Sequence, residues 1–335
     1  MSSISLKPIN EQVVVVVGAS SGIGHQSALR FAERGARLVL AARDAGELER
    51  VEAECRQRGA ADVAVIAGDV SSPQDMETLA SGARDRFGRI DTWAHIAGID
   101  LWATFEDTTP DEFRRVIEIN LLGPAFGAMA ALPVLRESRG GALIAVSSVE
   151  AEVPLPWQSA YAASKHGMDA FLRTLRMELA AEGAPIAVTQ IQPSGIDTPL
   201  FHWARTRIGV EPRPTAPVYD PDVVAQLIVH AAEHPSRELV AGGAGWTMRL
   251  AHRLAPDMTD RALSMFGFSG QKTKTPKGPD APSNLHRASP TSAVRGGFCG
   301  RRFSIVNQVQ MLPSAVRVAA VAGIATLAGL ALRRR

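Results

Sequence analysis

Cysteine is nearly absent: Cys55 and Cys299 are the only two in 335 residues. One lies in the body and one in the tail, which gives no disulfide framework and no metal-ligand cluster and fits a reducing, cytoplasmic compartment. A long apolar run near the start is also missing, because Met1 to Gln12 is polar and Val13 to Val17 is too short for a signal-peptide core. Acidic residues are missing from one end only. Residues 271–335 carry 11 Lys and Arg against one acid, whereas residues 1–270 carry 25 against 33, so a body of net −8 bears a tail of +10. Nucleic acid is excluded as an expected partner of so acidic a body, while the tail suits an anionic membrane surface. No internal repeat is present.

With 46% apolar residues, a chain of this length can bury one large core, which excludes a disordered protein. Short apolar runs alternate with longer segments of helical period. The runs are Val13 to Val17, Arg37 to Ala41, Val63 to Ala67, Thr92 to Ile96, Ala142 to Val146, Ile186 to Ile191 and Glu238 to Ala241. This pattern predicts an α/β fold, a Rossmann-type doubly wound parallel sheet of about seven strands with helices on both faces. Two helical segments are unusually long, Asp111 to Arg136 and Ser159 to Ala181. The expected organisation is a catalytic domain over 9–255, a C-terminal helix of the body over 256–270, a flexible basic linker over 271–310 and an apolar helix with a basic end over 311–335. The linker is read from Lys272 to Gly300, crowded with Pro, Ser, Gly and Lys and without hydrophobic period.

Val13 to Val17 runs into Gly18-Ala19-Ser20-Ser21-Gly22-Ile23-Gly24 and then a helical pattern. Glycines at a strand-to-helix turn let the backbone bend tightly and approach a pyrophosphate, whose charge then meets free N–H groups at the helix start. The second strand ends Leu40-Ala41-Ala42-Arg43, with Ala42 where an NAD-preferring site offers an acid to the ribose. Arg43 accommodates a 2′-phosphate better than a bare hydroxyl, so NADP(H) is the expected cofactor and NAD(H) the alternative, kept open by Asp44. Asp69 and Val70, after the third strand, are read either as the adenine edge or, for Asp69, as a helix N-cap.

Tyr161 and Lys165 lie one turn apart on one helix face. A phenol with an ordinary pKa of about 10 becomes useful near neutrality when a cation beside it favours the phenolate. Ser147-Ser148 ends the fifth strand at the carboxyl edge of the sheet, where doubly wound folds bind ligands, so a serine there can hold a substrate oxygen while Tyr161 exchanges its proton.

These residues together resemble the compact, single-domain branch of the short-chain dehydrogenase/reductase family over roughly residues 9–255, with Gly18 to Gly24, Asp69, Asn120, the Ser148, Tyr161 and Lys165 set and Pro193 to Thr198 in the family's order. The resemblance implies an oxidoreductase acting on a carbonyl or alcohol. Tyr161 would be the general acid or base, Ser148 would orient the carbonyl, Lys165 would lower the Tyr161 pKa and bind the nicotinamide ribose, and Asn120 would hold a water on the proton path. Ser148 is preferred to Ser147 because the family places its serine thirteen residues before the tyrosine. Gly18, Ser20, Ser21, Gly22, Ile23, Gly24, Arg43, Asp69, Val70, Ala97, Gly98, Pro193, Gly195, Ile196 and Thr198 would join Tyr161 and Lys165 around the cofactor. Two departures stand out: the family's Asn-Asn-Ala-Gly is His95-Ile96-Ala97-Gly98, and its Pro-Gly is Pro193-Ser194. His95 alone reads as a core or edge histidine.

The loop Pro199 to Pro221, with Leu200, Phe201 and Trp203, and the neighbouring Trp102 and Trp157 either form an apolar substrate rim or pack the loops down. Val318 to Leu332 is a 15-residue uncharged run, about 22 Å of helix against a roughly 30 Å hydrocarbon core. It is read equally as a membrane-surface or tail-anchor helix and as a helix docked on the body or a partner, with full spanning third. The two long helices are like those through which family members form homo-dimers or homo-tetramers. A cofactor-binding sensor or scaffold tethered by its tail, and an epimerase using transient oxidation, are the rival functions.

Overall fold

A computed structural model describes residues 4–313 and Val316. Seven strands form one parallel sheet: β1 (Val13–Val17), β2 (Arg37–Ala42), β3 (Asp62–Ala67), β4 (Thr92–His95), β5 (Gly141–Val146), β6 (Ile186–Pro193) and β7 (Glu238–Ala241). Their order is β7-β6-β5-β4-β1-β2-β3, with every pairing parallel, so the chain reverses its direction of travel across the sheet between β3 and β4. The doubly wound fold expected from the apolar runs is the fold observed. Small differences lie at strand ends, where β4 stops at His95 and β6 runs on to Pro193.

Among the described residues, the α-helices longer than one turn are α1 (Gly22–Glu33), α2 (Ala45–Gln57), α3 (Pro73–Phe87), α4 (Pro110–Ile117), α5 (Gly123–Glu137), α6 (Ser159–Ala181), α7 (Pro221–Glu233), α8 (Gly243–Leu254), α9 (Pro256–Gly270) and α10 (Ile305–Met311). The five valines of β1 are all buried at the sheet centre. Successive side chains of a strand point to opposite faces, and Val14 and Val16 join one core with Phe31 of α1 and Leu227 of α7. Val15 and Val17 join the other, with Leu79 of α3, Val116 of α4 and Leu172 of α6. Thr109 caps α4 in a reciprocal box with Glu112. Between α4 and α5 a π-turn, Glu118–Leu122, carries Asn120. Taken together, Pro110–Glu137 is the one helix among the described residues long and apolar enough to cross a membrane by length and composition, and its Val116, Ile119, Ala128 and Ala131 are spent on the core.

The segment read as a mobile linker is laid across the body instead. Lys272 and Pro276 pair antiparallel with Pro212 and Val210. Leu285 is fully buried, and Arg295 forms an ion pair with Asp220 at 2.6 Å. The buried Asp197 carboxylate accepts from the backbone N–H groups of Gly296 and Phe298 at 2.9 Å and of Gly300 at 3.3 Å. A stretch rich in Pro, Ser and Gly has no apolar face to bury, yet its backbone donors can be satisfied by a carboxylate, and that is what holds it. Beyond it, Asn307 of α10 donates to Val223 O at 2.7 Å, and the Gln310 amide brackets Val240 of β7, accepting from its N–H at 2.9 Å and donating to its carbonyl at 2.8 Å. The apolar run Val318 to Leu332 lies outside the described residues.

Replacing Asp197 by Ala strands three backbone donors and lowers stability by about 2–3 kcal/mol. A fall in Tm with faster tryptic cleavage after Arg295 and Arg301 is expected, and Asp197→Asn gives an intermediate effect. Unchanged Tm and cleavage rates in both variants would remove the carboxylate from its anchoring role.

Candidate active site

One cavity of about 550 Å³ runs along the carboxyl edge of the sheet, from Arg43, Asp69 and Val70 at one end, past the glycine turn, to Ser148, Tyr161 and Lys165 at the other. The turn is built on close approach. A Cβ at Gly24 would sit 1.9 Å from the Gly18 carbonyl oxygen, and one at Gly18, whose φ is +89°, would sit 2.6 Å from Ala97 N. Ser21 caps α1 in extended conformation with no side-chain capping bond, which leaves its hydroxyl free at the helix start. Ser20, Ser21, Gly22 and Ile23 all line the cavity.

At the end of β2, Arg43 donates through Nη2 to Asn284 O at 3.0 Å, while its Nη1 is buried without a partner. Burial lowers the Arg43 pKa. Asp69 accepts from Ser71 N at 2.9 Å and Ser71 Oγ at 2.7 Å, and pairs with Arg115 at 2.8 Å. Burial pushes the Asp69 carboxyl up, but the Ser71 bonds and the Arg115 guanidinium outweigh it and hold it low. The cap of the next helix is Ser72, not Asp69.

At the other end the two serines part company. Ser147 Oγ donates to the buried Asp169 at 2.5 Å, whereas Ser148 shares a side-chain hydrogen bond with Tyr161. Lys165 is buried, donates to Val146 O at 3.0 Å and lies 5.5 Å from the Tyr161 ring centre. Asn120 is committed to one loop: its amide donates to Ile99 O at 2.8 Å and accepts from Ile99 N at 2.9 Å, with Ser164 Oγ at 3.3 Å. Gly98 lies between them, where a Cβ would meet Asn120 Oδ1 at 3.4 Å and Lys165 Nζ at 3.8 Å. Pro193, Gly195, Ile196 and Thr198 line the same wall, and a Cβ at Gly195 would run into Thr215 O at 2.2 Å. His95 is buried with both ring nitrogens unpartnered, and desolvation aided by Lys165 holds it neutral, near 3. It is a core histidine.

Two carboxyls in the floor carry no sequence signal. Asp100 and Glu150 are both buried, and Gln158 lies between them, with one amide atom 2.8 Å from Asp100 Oδ2 and 3.1 Å from Glu150 Oε1. Burial pushes Glu150 up to about 8, against Lys165, and pushes Asp100 up as well, with Glu150 adding to it. Their positions, two residues after Gly98 and two after Ser148, are the only hint the sequence holds.

These groups oppose the expected acidic phenol. Desolvation, then Asp100 and Glu150, raise Tyr161 above its ordinary range, and the Ser148 hydrogen bond only opposes them. Desolvation lowers Lys165 to about 8, opposed by Asp169, Asp100 and Glu150. The loop aromatics divide between the two readings open for them. Trp102 and Phe201 line the cavity, but Trp157 packs edge-on against Phe268, and neither Trp157 nor Trp203 reaches it.

The residues present fit a nicotinamide dinucleotide: a backbone cradle that any Cβ would fill, a free hydroxyl at a helix start and an orphaned buried guanidinium nitrogen stand along one groove. A family model described as short chain dehydrogenase matches residues 12–208. An uncharacterized oxidoreductase, YxnA, of Bacillus subtilis is 34% identical over 290 residues, 86% of this chain and 81% of its own. Dehydrogenase/reductase SDR family member 7B of Bos taurus is 34% identical over 79% of this chain and 84% of its own. Among solved structures, an alcohol dehydrogenase of Thermococcus sibiricus complexed with 5-hydroxy-NADP superposes with a TM-score of 0.60 at 26% identity, covering 68% of this chain and 95% of that one. Levodione reductase gives 0.62 at 26%, covering 70% and 98%.

Glu150 makes a pH prediction. Its folded pKa of about 8 lies above the ordinary 4.5, so the folded state binds the proton more tightly. Its stabilisation is complete below the ordinary value and is lost as pH rises through the folded one. Glu150→Gln, which cannot ionise, should raise Tm relative to the parent more at about pH 8 than at about pH 5; parallel Tm profiles would refute the buried-acid assignment.

Proposed function

The chain belongs to the short-chain dehydrogenase family, and on that premise we propose that it is an NADP(H)-dependent oxidoreductase working between the carbonyl and secondary-alcohol forms of an apolar small molecule. The observation that carries this reading is the meeting of Ser148, Tyr161 and Lys165 on one wall of a cavity whose other end is the glycine turn. When bound, the nicotinamide supplies or accepts the hydride.

The chain's own residues handle the proton and the position. A phenol raised by burial and by neighbouring carboxyls is protonated at neutral pH, so Tyr161 is set to give its proton to the oxygen of a carbonyl under reduction. The Ser148 hydroxyl, whose interaction with Tyr161 favours the phenolate, holds the same oxygen. Lys165, lowered to about 8, remains mostly cationic at pH 7, and its charge beside the ring favours the phenolate once the proton has left. Asn120, fastened to Ile99, keeps the loop bearing Gly98 and Asp100 in place beside that ammonium, so its role is positioning. NADP(H) over NAD(H) is supported by Ala42 in place of an acid and by the unpartnered Arg43 Nη1, and the Thermococcus enzyme was solved with an NADP analogue.

An apolar substrate is supported by Met248, Leu263 and Phe266 at the cavity mouth, where Trp246, Leu254, Met258 and Met265 of α8 and α9 stand exposed. The same surface supports attachment of the C-terminal end to a membrane surface. Exposed Met129 on α5 and Met177 on α6 support self-association through the two long helices.

Tyr161→Phe should cut NADPH-linked turnover on a carbonyl panel by about 100-fold or more while NADPH affinity stays within a few fold; undiminished turnover would overturn the proton assignment. Arg43→Ala should weaken NADPH binding about tenfold or more and leave NADH binding nearly unchanged. Equal losses for both cofactors would remove the 2′-phosphate from the reading.

A further inference from the structure

The tail contributes to the same cavity as the glycine turn: Asn284, Ala288 and Ser289 line it. Asn284 is held by its backbone, its N–H donating to Trp203 O at 2.7 Å and its carbonyl accepting from Arg43 Nη2 at 3.0 Å. Its side chain is not so used. Asn284 is 5% exposed and its Oδ1 is buried with no partner, as is Arg43 Nη1. Leu285, 0% exposed, pins the next residue into the core, and its carbonyl accepts from Arg115 Nε at 3.0 Å, the same arginine that grips Asp69. Further along, Ala293 O accepts from Gly22 N–H at 3.0 Å and Ser292 O meets His25 Nδ1 at 2.6 Å. The segment therefore touches the ends of β2 and β3 and the start of α1. Those are the places where a doubly wound sheet receives the adenosine and pyrophosphate of a dinucleotide.

Buried polar atoms are nearly always paired, so a buried amide oxygen without a partner on a residue that lines the cavity, beside a buried guanidinium nitrogen in the same state, marks a place kept for a ligand. We propose that the C-terminal segment is part of the dinucleotide site, with Asn284 as a recognition residue whose side-chain amide accepts from a hydrogen-bond donor of the adenosine. The inference rests on the nicotinamide-dinucleotide reading above. It separates two contacts by chemistry. Arg43 answers a phosphate that only NADP(H) carries, whereas Asn284 answers the adenosine that both cofactors share.

The test is fluorescence titration of the full chain with NADPH and with NADH, comparing the parent with Asn284→Ala and using Tm as the control for folding. Both dissociation constants should rise by a similar factor, about fivefold to tenfold, in contrast to Arg43→Ala, which discriminates between them. Limited trypsin digestion of the parent provides a second readout: bound dinucleotide should slow cleavage after Arg287. A folded Asn284→Ala protein with both constants within twofold of the parent, or a cleavage rate indifferent to cofactor, overturns the assignment. A parent that binds neither cofactor overturns the proposed function and this inference together. A parent that prefers NADH, with Asn284→Ala still weakened, corrects the cofactor and supports the segment's place in the site.

Discussion

The site depends on how closely α1 approaches the turn that starts it. A single methyl at Gly24 would fall 1.9 Å from the Gly18 carbonyl oxygen, inside any permitted contact, so the helix can reach the sheet edge only because no side chain is there. That approach sets Ser21 at the helix start with a free hydroxyl and brings Gly18 against Ala97, which ties the turn to the strand leading toward Asp100 and Asn120. Groups far apart in the chain, from Arg43 to Lys165, therefore face one groove. The rest of the sheet is a rigid support for this edge, its two apolar faces sorted by the alternation of β1.

Within that groove the electrostatics are set by burial more than by pairing. Asp100 and Glu150 are both pushed toward their neutral forms by burial, with the Glu150 charge adding to the shift of Asp100. Lys165 is lowered by the same loss of water, yet less far than it would be without those carboxyls and Asp169. The result is a protonated phenol and a cation side by side in a pocket whose acids are held silent. Desolvation is the largest influence on the resting state of Tyr161.

What could be read from the chain is what a single element displays. Val13 to Val17 followed by spaced glycines, a serine pair at a strand end, and Tyr161 four residues before Lys165 are local patterns, and they come together in the folded protein as their spacing implies. Between Ser147 and Ser148, the thirteen-residue interval of the family resemblance favours Ser148, and the structure engages Ser147 with the buried Asp169 of α6. Asp100 and Glu150 were invisible because no periodicity marks them; only the fold makes them neighbours. The tail was misjudged as a linker for a related reason. Pro, Ser and Gly signal the lack of an apolar face, but they say nothing of carboxylates such as Asp197 and Asp220 that wait on the body for backbone and guanidinium donors. Of the two readings open for the loop aromatics, Trp157 follows the second, packing against Phe268, and neither it nor Trp203 lines the cavity.

Gln310 has a consequence for the open border of the sheet. A border strand of a sheet normally presents a row of open donors and acceptors, an invitation to another chain's strand. At Val240 both groups are already engaged by one glutamine amide, and Asn307 accepts from Gly242 N beside it. The β7 border is blunted at Val240 by a helix of its own chain, so another strand finds no open donor or acceptor at that residue.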